Sequence, residues 1–94
     1  MPAYMISYDL RKVRNYGGLL KVLNDLGCIR PLKSLWFGQL RGNSVDLRNT
    51  LSPFIDGDDG LVIVEVKPTL DWAFLKVDDS RSADWFKNNL GSSA

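Results

Sequence analysis

The chain has 94 residues, of which 45 % are hydrophobic and 24 % are charged, and its formal net charge is +1. These values predict one globular domain, residues 1–94, near the lower end of the size at which a single core is stable, and they exclude a generally sticky polycation. No stretch approaches the roughly 20 apolar residues of a membrane span and the N-terminus has no signal-peptide pattern, so we expect a cytoplasmic protein with no membrane partner.

Two residue types limit the chemistry. The sequence has no His, the usual general base and the commonest transition-metal ligand. Any metal ion is therefore expected to be a hard cation bound by oxygen. The single cysteine, Cys28, has no internal disulfide partner and no His to activate it, and we interpret it as a small buried hydrophobe.

Charge is divided unevenly along the chain. Residues 1–50 carry eight Lys and Arg against three Asp, whereas residues 51–94 carry four Lys and Arg against eight acidic residues. Such asymmetry is a hint that the basic half contacts nucleic acid.

A first strand is predicted over residues 3–10, an apolar run that includes Asp9 and precedes the basic residues Arg11, Lys12 and Arg14. Apolar residues at successive positions are typical of a strand that is covered on both faces. Asp9 has two interpretations, a turn residue that accepts backbone hydrogen bonds or a chemical group at a functional site. The basic cluster is either a phosphate-binding loop or a solvated surface loop.

A first helix is predicted from Asn15, its N-cap, to Leu26, with Gly27 after its last turn. Its apolar stripe has the spacing of one helix face and consists of Tyr16, Leu19, Leu20, Leu23 and Leu26. Residues 28–32 and 33–40 are then predicted as two short strands, and Pro31, which lacks a backbone donor, is expected at a sheet edge or bend.

The second half of the chain begins with a helix capped by Ser44 and ended or distorted by Pro53. The buried stripe of this helix is predicted to be Leu47, Leu51, Phe54 and Ile55. The loop over residues 56–60 is rich in Asp and Gly, but it lacks the spacing of a calcium loop and is interpreted as a solvated turn.

Residues 61–67, with four β-branched residues, form the strongest predicted strand. Beyond this strand, the pattern favours a fifth strand over residues 71–77 and a short terminal helix capped by Ser82. Residues 91–94 are expected to be a frayed, disordered tail.

This order of elements predicts an α+β fold, a ferredoxin-like βαββαβ sandwich with an additional C-terminal strand or helix. Two helices cover one face of such a sheet and leave the other face bare. Because the first, third and fourth strands are apolar on both faces, we expect two copies to pack their bare faces together as a homodimer.

Several short motifs follow one another over roughly residues 3–67. They are Tyr8-Asp9, Gly27 after a helix, Ser34 with Phe37-Gly38-Gln39-Leu40, Phe54-Ile55-Asp56, and the strand that begins Asp59-Gly60-Leu61. In these motifs the chain resembles the small CRISPR-associated protein two, here called the Cas-two family, and its relatives, the virulence-associated protein D toxins. The resemblance implies a ferredoxin-like homodimer in which the two copies of Asp9 approach the two-fold axis. The Trp-containing tail after residue 70 departs from the family pattern, which leaves a docking role beside an integrase without support.

In that family the aspartate matched by Asp9 is proposed to hold Mg²⁺ for phosphodiester cleavage in some members, whereas other members are non-catalytic platforms that bind DNA. We therefore expect a small dimeric nucleic-acid scaffold or regulatory component of a defence, toxin–antitoxin or other mobile-element system. In this role Arg11, Lys12 and Arg14 contact DNA or RNA phosphates and no cofactor is needed. The alternative is a Mg²⁺-dependent endonuclease with Asp9 as catalytic residue and metal ligand, paired across the dimer axis.

Overall fold

The computed structural model describes residues 1–11 and 16–91 and contains a four-stranded antiparallel sheet. Its strands are β1 Ala3–Asp9, β2 Ile29–Leu32, β3 Leu35–Gln39 and β4 Gly60–Val66. They lie in the order β2-β3-β1-β4, so β1 is bonded on both sides and β2 and β4 are the edges. The edge position of β2 confirms the placement predicted for Pro31.

Three α-helices accompany the sheet: α1 Gly17–Asp25, α2 Ser44–Leu51, which continues into a 3₁₀ turn over Ser52–Phe54, and α3 Ser82–Leu90. The element order confirms the predicted α+β class and is compatible with a ferredoxin-like fold carrying an additional C-terminal helix. Within the described ranges no helix has the length and apolar character needed to cross a bilayer.

The first face of the sheet packs on α1 and α2. Alternate residues of β1 point to this face, and with Trp36 of β3 they meet the buried leucines of both helices. The buried members of this cluster are Tyr4, Ile6, Tyr8, Leu19, Leu23, Cys28, Trp36, Leu40, Leu47 and Leu51. Packing is close where Gly38 of β3 meets Cys28, since a Cβ added at Gly38 would lie 2.5 Å from Cys28 Sγ.

Helix α1 begins at Gly17, so its N-cap position is one residue after the predicted one. Tyr16 is the residue before its first turn and makes no side-chain cap, while Asn15 lies outside the described residues. The end is as predicted, because Gly27 has φ +81° and ends the helix in a conformation that other residues rarely adopt. Leu26 of the predicted stripe is 41 % exposed, so the stripe ends at Leu23.

The predicted cap of α2 is wrong by one residue. Asn43, not Ser44, is the N-cap: its side chain accepts a hydrogen bond from Asp46 N at 2.9 Å, and the Asp46 carboxylate accepts one from Asn43 N at 3.1 Å. This reciprocal pair satisfies two backbone donors at the helix start, which a serine at position 44 does not do. Leu47 and Leu51 are buried as predicted, whereas Phe54 turns outward.

The predicted fifth strand over residues 71–77 does not form. This segment, here called the strap, has no regular secondary structure and crosses the second face of the sheet. Trp72 and Phe74 pack on Phe86 of α3, with ring centroids 5.1 Å and 5.7 Å away. The alternating aromatic residues of this segment therefore pack on a helix, and the segment lacks the hydrogen-bond pattern of a β-strand.

The C-terminal helix is confirmed, although Ser82 is its first residue and Arg81 holds the cap position. Phe86 and Leu90 of α3 pack on Ala3, Ile29 and Phe37, which form the second buried cluster. The second face is thus not bare as predicted, because α3 and the strap cover part of it. Of the predicted tail over residues 91–94, only Gly91 lies among the described residues.

Part of the second face stays open beside edge strand β4. Val62 and Val64 point to this face and are 55 % and 42 % exposed. Their neighbours in β1 are Ser7 and Met5, and Asp9 follows on the same face at the strand end. The open area, here called the β4 patch, consists of Ser7, Asp9, Val62 and Val64.

Candidate nucleic-acid interface at the end of β1

Asp9 lies at the last position of β1, opposite Gly60 of β4. Its side chain is 74 % exposed, and its carboxylate accepts a hydrogen bond from Arg11 Nε at 3.3 Å. Among the described residues no backbone group donates to it. Asp9 is consequently an accessible carboxylate that is hydrogen-bonded to Arg11, and Lys12 and Arg14, predicted to act beside it, lie outside the described residues.

Asp59, not Asp9, is the residue whose carboxylate accepts hydrogen bonds from backbone N–H groups. The Asp59 carboxylate accepts hydrogen bonds from Arg11 N at 2.9 Å, Asp56 N at 2.8 Å and the Tyr16 hydroxyl at 2.8 Å. These contacts tie the loop before β4 to the end of β1 and the start of α1. Across residues 1–11 and 16–91, no group of three or more His, Cys, Asp or Glu side chains is arranged to hold a metal ion.

A groove of about 320 Å³ lies next to Asp9, and two basic residues, Arg30 and Lys33, line it. Arg30 belongs to β2 and Lys33 lies in the turn between β2 and β3, and the pairing of the strands brings both residues beside the end of β1. Ser34 of the family-like motif also lines the groove, whereas Phe37 of the same motif is buried on the second face under α3. The groove therefore places two cations and the single carboxylate of Asp9 within one concave surface.

Three hydrogen bonds fix the position of the β2–β3 turn. The Tyr8 hydroxyl accepts a bond from Trp36 Nε1 at 2.9 Å and donates to the carbonyl of Lys33 at 3.2 Å. Arg30 Nε donates to the same carbonyl at 2.8 Å, and the Arg30 guanidinium lies 5.2 Å from the centroid of the Trp36 ring. Arg30 is thus held rigidly at the groove while Lys33 extends its charge into solvent.

The segment that contains Asp79 and Arg81 supports edge strand β2. The Asp79 carboxylate accepts hydrogen bonds from Arg30 N at 2.9 Å and from the Arg81 side chain at 2.6 Å. Its side chain is mostly buried, and the bond from Arg81 is the main cause that lowers the pKa of Asp79. The Asp79 anion consequently persists at all ordinary pH values and holds the backbone of the groove residue Arg30.

Sequence reasoning did not single out Arg30 and Lys33. The available signal was the basic pair around the predicted edge proline, in Arg30-Pro31-Leu32-Lys33. An edge strand next to a tight turn exposes its polar side chains to solvent. Which other strand end such a turn would meet depends on the strand order, and the sequence pattern did not contain that information.

Burial separates Cys28 from any reactive role. Loss of solvent raises the pKa of its thiol to about 11. An unfolded chain loses this proton near pH 8.5, so the free energy of unfolding is expected to fall as the pH rises from about 8.5 to 11, by up to about 1.4 kcal/mol per pH unit. Urea unfolding of the wild type and of Cys28→Ala between pH 8 and pH 10.5 measures this difference in slope, and equal slopes would contradict the buried thiol.

Comparison of the chain with protein-family models, with curated proteins and with solved structures found no match in any of the three.

Proposed function

We propose that this chain is a small nucleic-acid-associated scaffold of the Cas-two kind, acting as a homodimer in the cytoplasm within a defence or other mobile-element system. The observation that supports this proposal most is the basic groove beside β1, where Arg30 and Lys33 flank Asp9. Arg11 adds a third cation through its contact with Asp9. Several cations on one concave edge are suited to bind phosphates along a nucleic-acid backbone without reading its sequence.

The homodimer uses the β4 patch in this proposal. The strap and α3 occupy the rest of the second face, so packing of whole sheets face to face is not available without moving them. Val62 and Val64 supply exposed apolar surface beside Asp9, and a two-fold axis there would bring the two Asp9 side chains together. The groove cations of both copies would then form one longer basic surface.

Light scattering at micromolar concentration is expected to give twice the monomer mass of 10.6 kDa. Val62→Glu places a charge in the patch and is expected to return the monomer. Leu26→Glu is the matched control, because Leu26 follows α1, is 41 % exposed, and lies outside the patch and outside the groove that Val62 lines beside α2. A wild-type monomer, or equal effects of the two substitutions, would rule out this interface.

Nucleic-acid binding is tested with single-stranded and duplex oligonucleotides titrated between 50 and 200 mM salt, a range over which phosphate contacts weaken strongly. Lys33→Gln is expected to weaken binding for all sequences and to reduce the slope of log K against log salt by about 1. Lys87→Gln on α3 removes the same charge away from the groove and serves as the control. An unchanged slope in Lys33→Gln would show that nucleic acid does not bind at this groove.

A Mg²⁺-dependent endonuclease is the second candidate, favoured by the exposure of Asp9 on the patch that the proposed dimer buries. Two carboxylates approaching an axis offer oxygen ligands to a hard cation, and a bound metal ion activates water without a His. In this case Mg²⁺ raises the unfolding temperature of the wild type, and both this effect and cleavage are lost in Asp9→Asn. Cleavage that persists in purified Asp9→Asn would assign the activity to a contaminant and leave the scaffold role.

A further inference from the structure

An apolar cavity of about 410 Å³ lies between the second face of the sheet and the strap. Residues of β1, β3 and β4 form its floor, and the strap and α3 form its walls. Its volume lies within the usual range of small-molecule sites, roughly 300–1,000 Å³. Of its lining side chains, only that of Asp71 is charged, and Asp71 is exposed, which places the carboxylate at the mouth of the cavity.

Among the described residues, the strap backbone is hydrogen-bonded only at its two ends, and the side chains of Trp72 and Phe74 hold its middle against Phe86. Leu70 N donates to the carbonyl of Leu90 at 2.9 Å before the strap, and Asp78 N donates to the carbonyl of Pro31 at 2.8 Å after it. In the part of the chain that the structure describes, no backbone hydrogen bond joins residues 71–77 to the sheet or to α3. The strap can therefore move outward to admit a molecule without breaking backbone hydrogen bonds.

Four aromatic rings line the cavity, those of Phe37, Trp72, Phe74 and Phe86. Trp72 and Phe74 stack with centroids 5.6 Å apart and an interplanar angle of 21°, and Phe86 meets both of them edge to face. Such an arrangement presents ring faces and edges to a further planar ring, which gains stacking or edge contacts in addition to burial. Trp72 Nε1 already donates to the carbonyl of Gly91 at 3.0 Å, so this N–H group is not available to a ligand.

We propose that this cavity is a binding site for a small planar aromatic molecule of one or two rings that carries a cationic amine. The rings of the ligand fill the cavity and pack against its four aromatic side chains. The amine forms an ion pair with the carboxylate of Asp71 at the mouth of the cavity. An anionic substituent would be repelled by the like charge of that same carboxylate, which opposes binding. This inference is independent of the proposed nucleic-acid role, because Arg30 and Lys33 of the groove do not line the cavity.

Three probes with the same ring system separate the parts of this proposal: indole, tryptamine and indole-3-acetate, which are neutral, cationic and anionic. Isothermal titration at low salt is expected to rank them tryptamine, indole, indole-3-acetate in falling affinity. The step between tryptamine and indole should be about two- to fivefold, the size of an exposed ion pair. It should shrink as salt is added.

Two variants locate the binding. Ala73→Phe fills the cavity from an exposed strap position and is expected to abolish binding of all three probes. Asp71→Asn is expected to remove only the advantage of tryptamine over indole, whereas Asp78→Asn, whose residue does not line the cavity, is expected to keep it. Absence of tryptamine binding at millimolar concentration would overturn the proposal. Equal affinities of the three probes, or binding unchanged in Ala73→Phe, would do the same.

Discussion

Leu23→Ala is expected to lower the free energy of unfolding by about 2–5 kcal/mol, a large share of the stability of a domain this small. Leu23 is completely buried on the first face, between α1 and the sheet. Its truncation removes apolar contacts and leaves a cavity that well-packed neighbours fill only in part. Urea unfolding followed by circular dichroism measures the change.

Leu26→Ala is the matched control for this prediction. Leu26 follows α1 and is 41 % exposed, so the same chemical change there is expected to cost under about 1 kcal/mol. Similar losses in the two variants would mean that the buried face of α1 differs from the one described.

Phe86→Ala is expected to cost about 3–5 kcal/mol, the range for buried aromatic residues. Phe86 is the centre of the aromatic cluster on the second face, with four rings within 6.0 Å: those of Phe37, Trp72, Phe74 and Trp85. Loss of this ring removes the packing that holds both the strap and α3 on the sheet. The loss is measured by thermal and urea unfolding, with tryptophan fluorescence as a local report of the cluster.

Phe74→Ala provides the comparison for the aromatic cluster. Phe74 is 40 % exposed, so Phe74→Ala is expected to lower the free energy of unfolding by only about 1 kcal/mol. If Phe86→Ala cost no more than Phe74→Ala, the tail would not be docked on the sheet through Phe86.

The sequence was sufficient to predict the elements that depend on local patterns. The spacing of Leu19 and Leu23 identified the buried face of α1, and the β-branched run identified β4. Cap positions were harder to predict, because adjacent polar residues such as Asn43 and Ser44 are both good caps and only the reciprocal bonds with Asp46 distinguish them.

The role of the C-terminal third was the main error in the sequence-based prediction. The pattern Trp72, Phe74 alternates like a strand, but strand identity also requires a partner for its backbone groups, and that depends on the whole fold. Once this segment is packed on the second face, the apolar residues of β1 and β3 have a partner within the same chain. The apolar strands thus correctly predicted a covering layer but did not identify which residues supply it.

The candidate site, like the fold, could be predicted only in part from the sequence. The end of β1 was recognised because Asp9 follows an apolar run and precedes a basic cluster. Arg30 and Lys33 reach that position only through the pairing of β3 with β1, a contact between residues far apart in sequence. Asp59 has its structural role in part for the same reason, since Arg11 and Tyr16, which donate to its carboxylate, lie 48 and 43 residues before it.

β1 is synthesised before both of the strands that flank it. Its partner residues lie at 35–39 in β3 and at 60–66 in β4, so the sheet cannot close until about two thirds of the chain has been synthesised. Pairings of this kind require long loops to be closed before any contact compensates for the lost entropy, which slows folding. Tyr4, Ile6 and Tyr8 remain uncovered until α1, β3 and α2 have been synthesised, and during that time the nascent chain is open to capture by a chaperone or to misassembly with another unfinished copy.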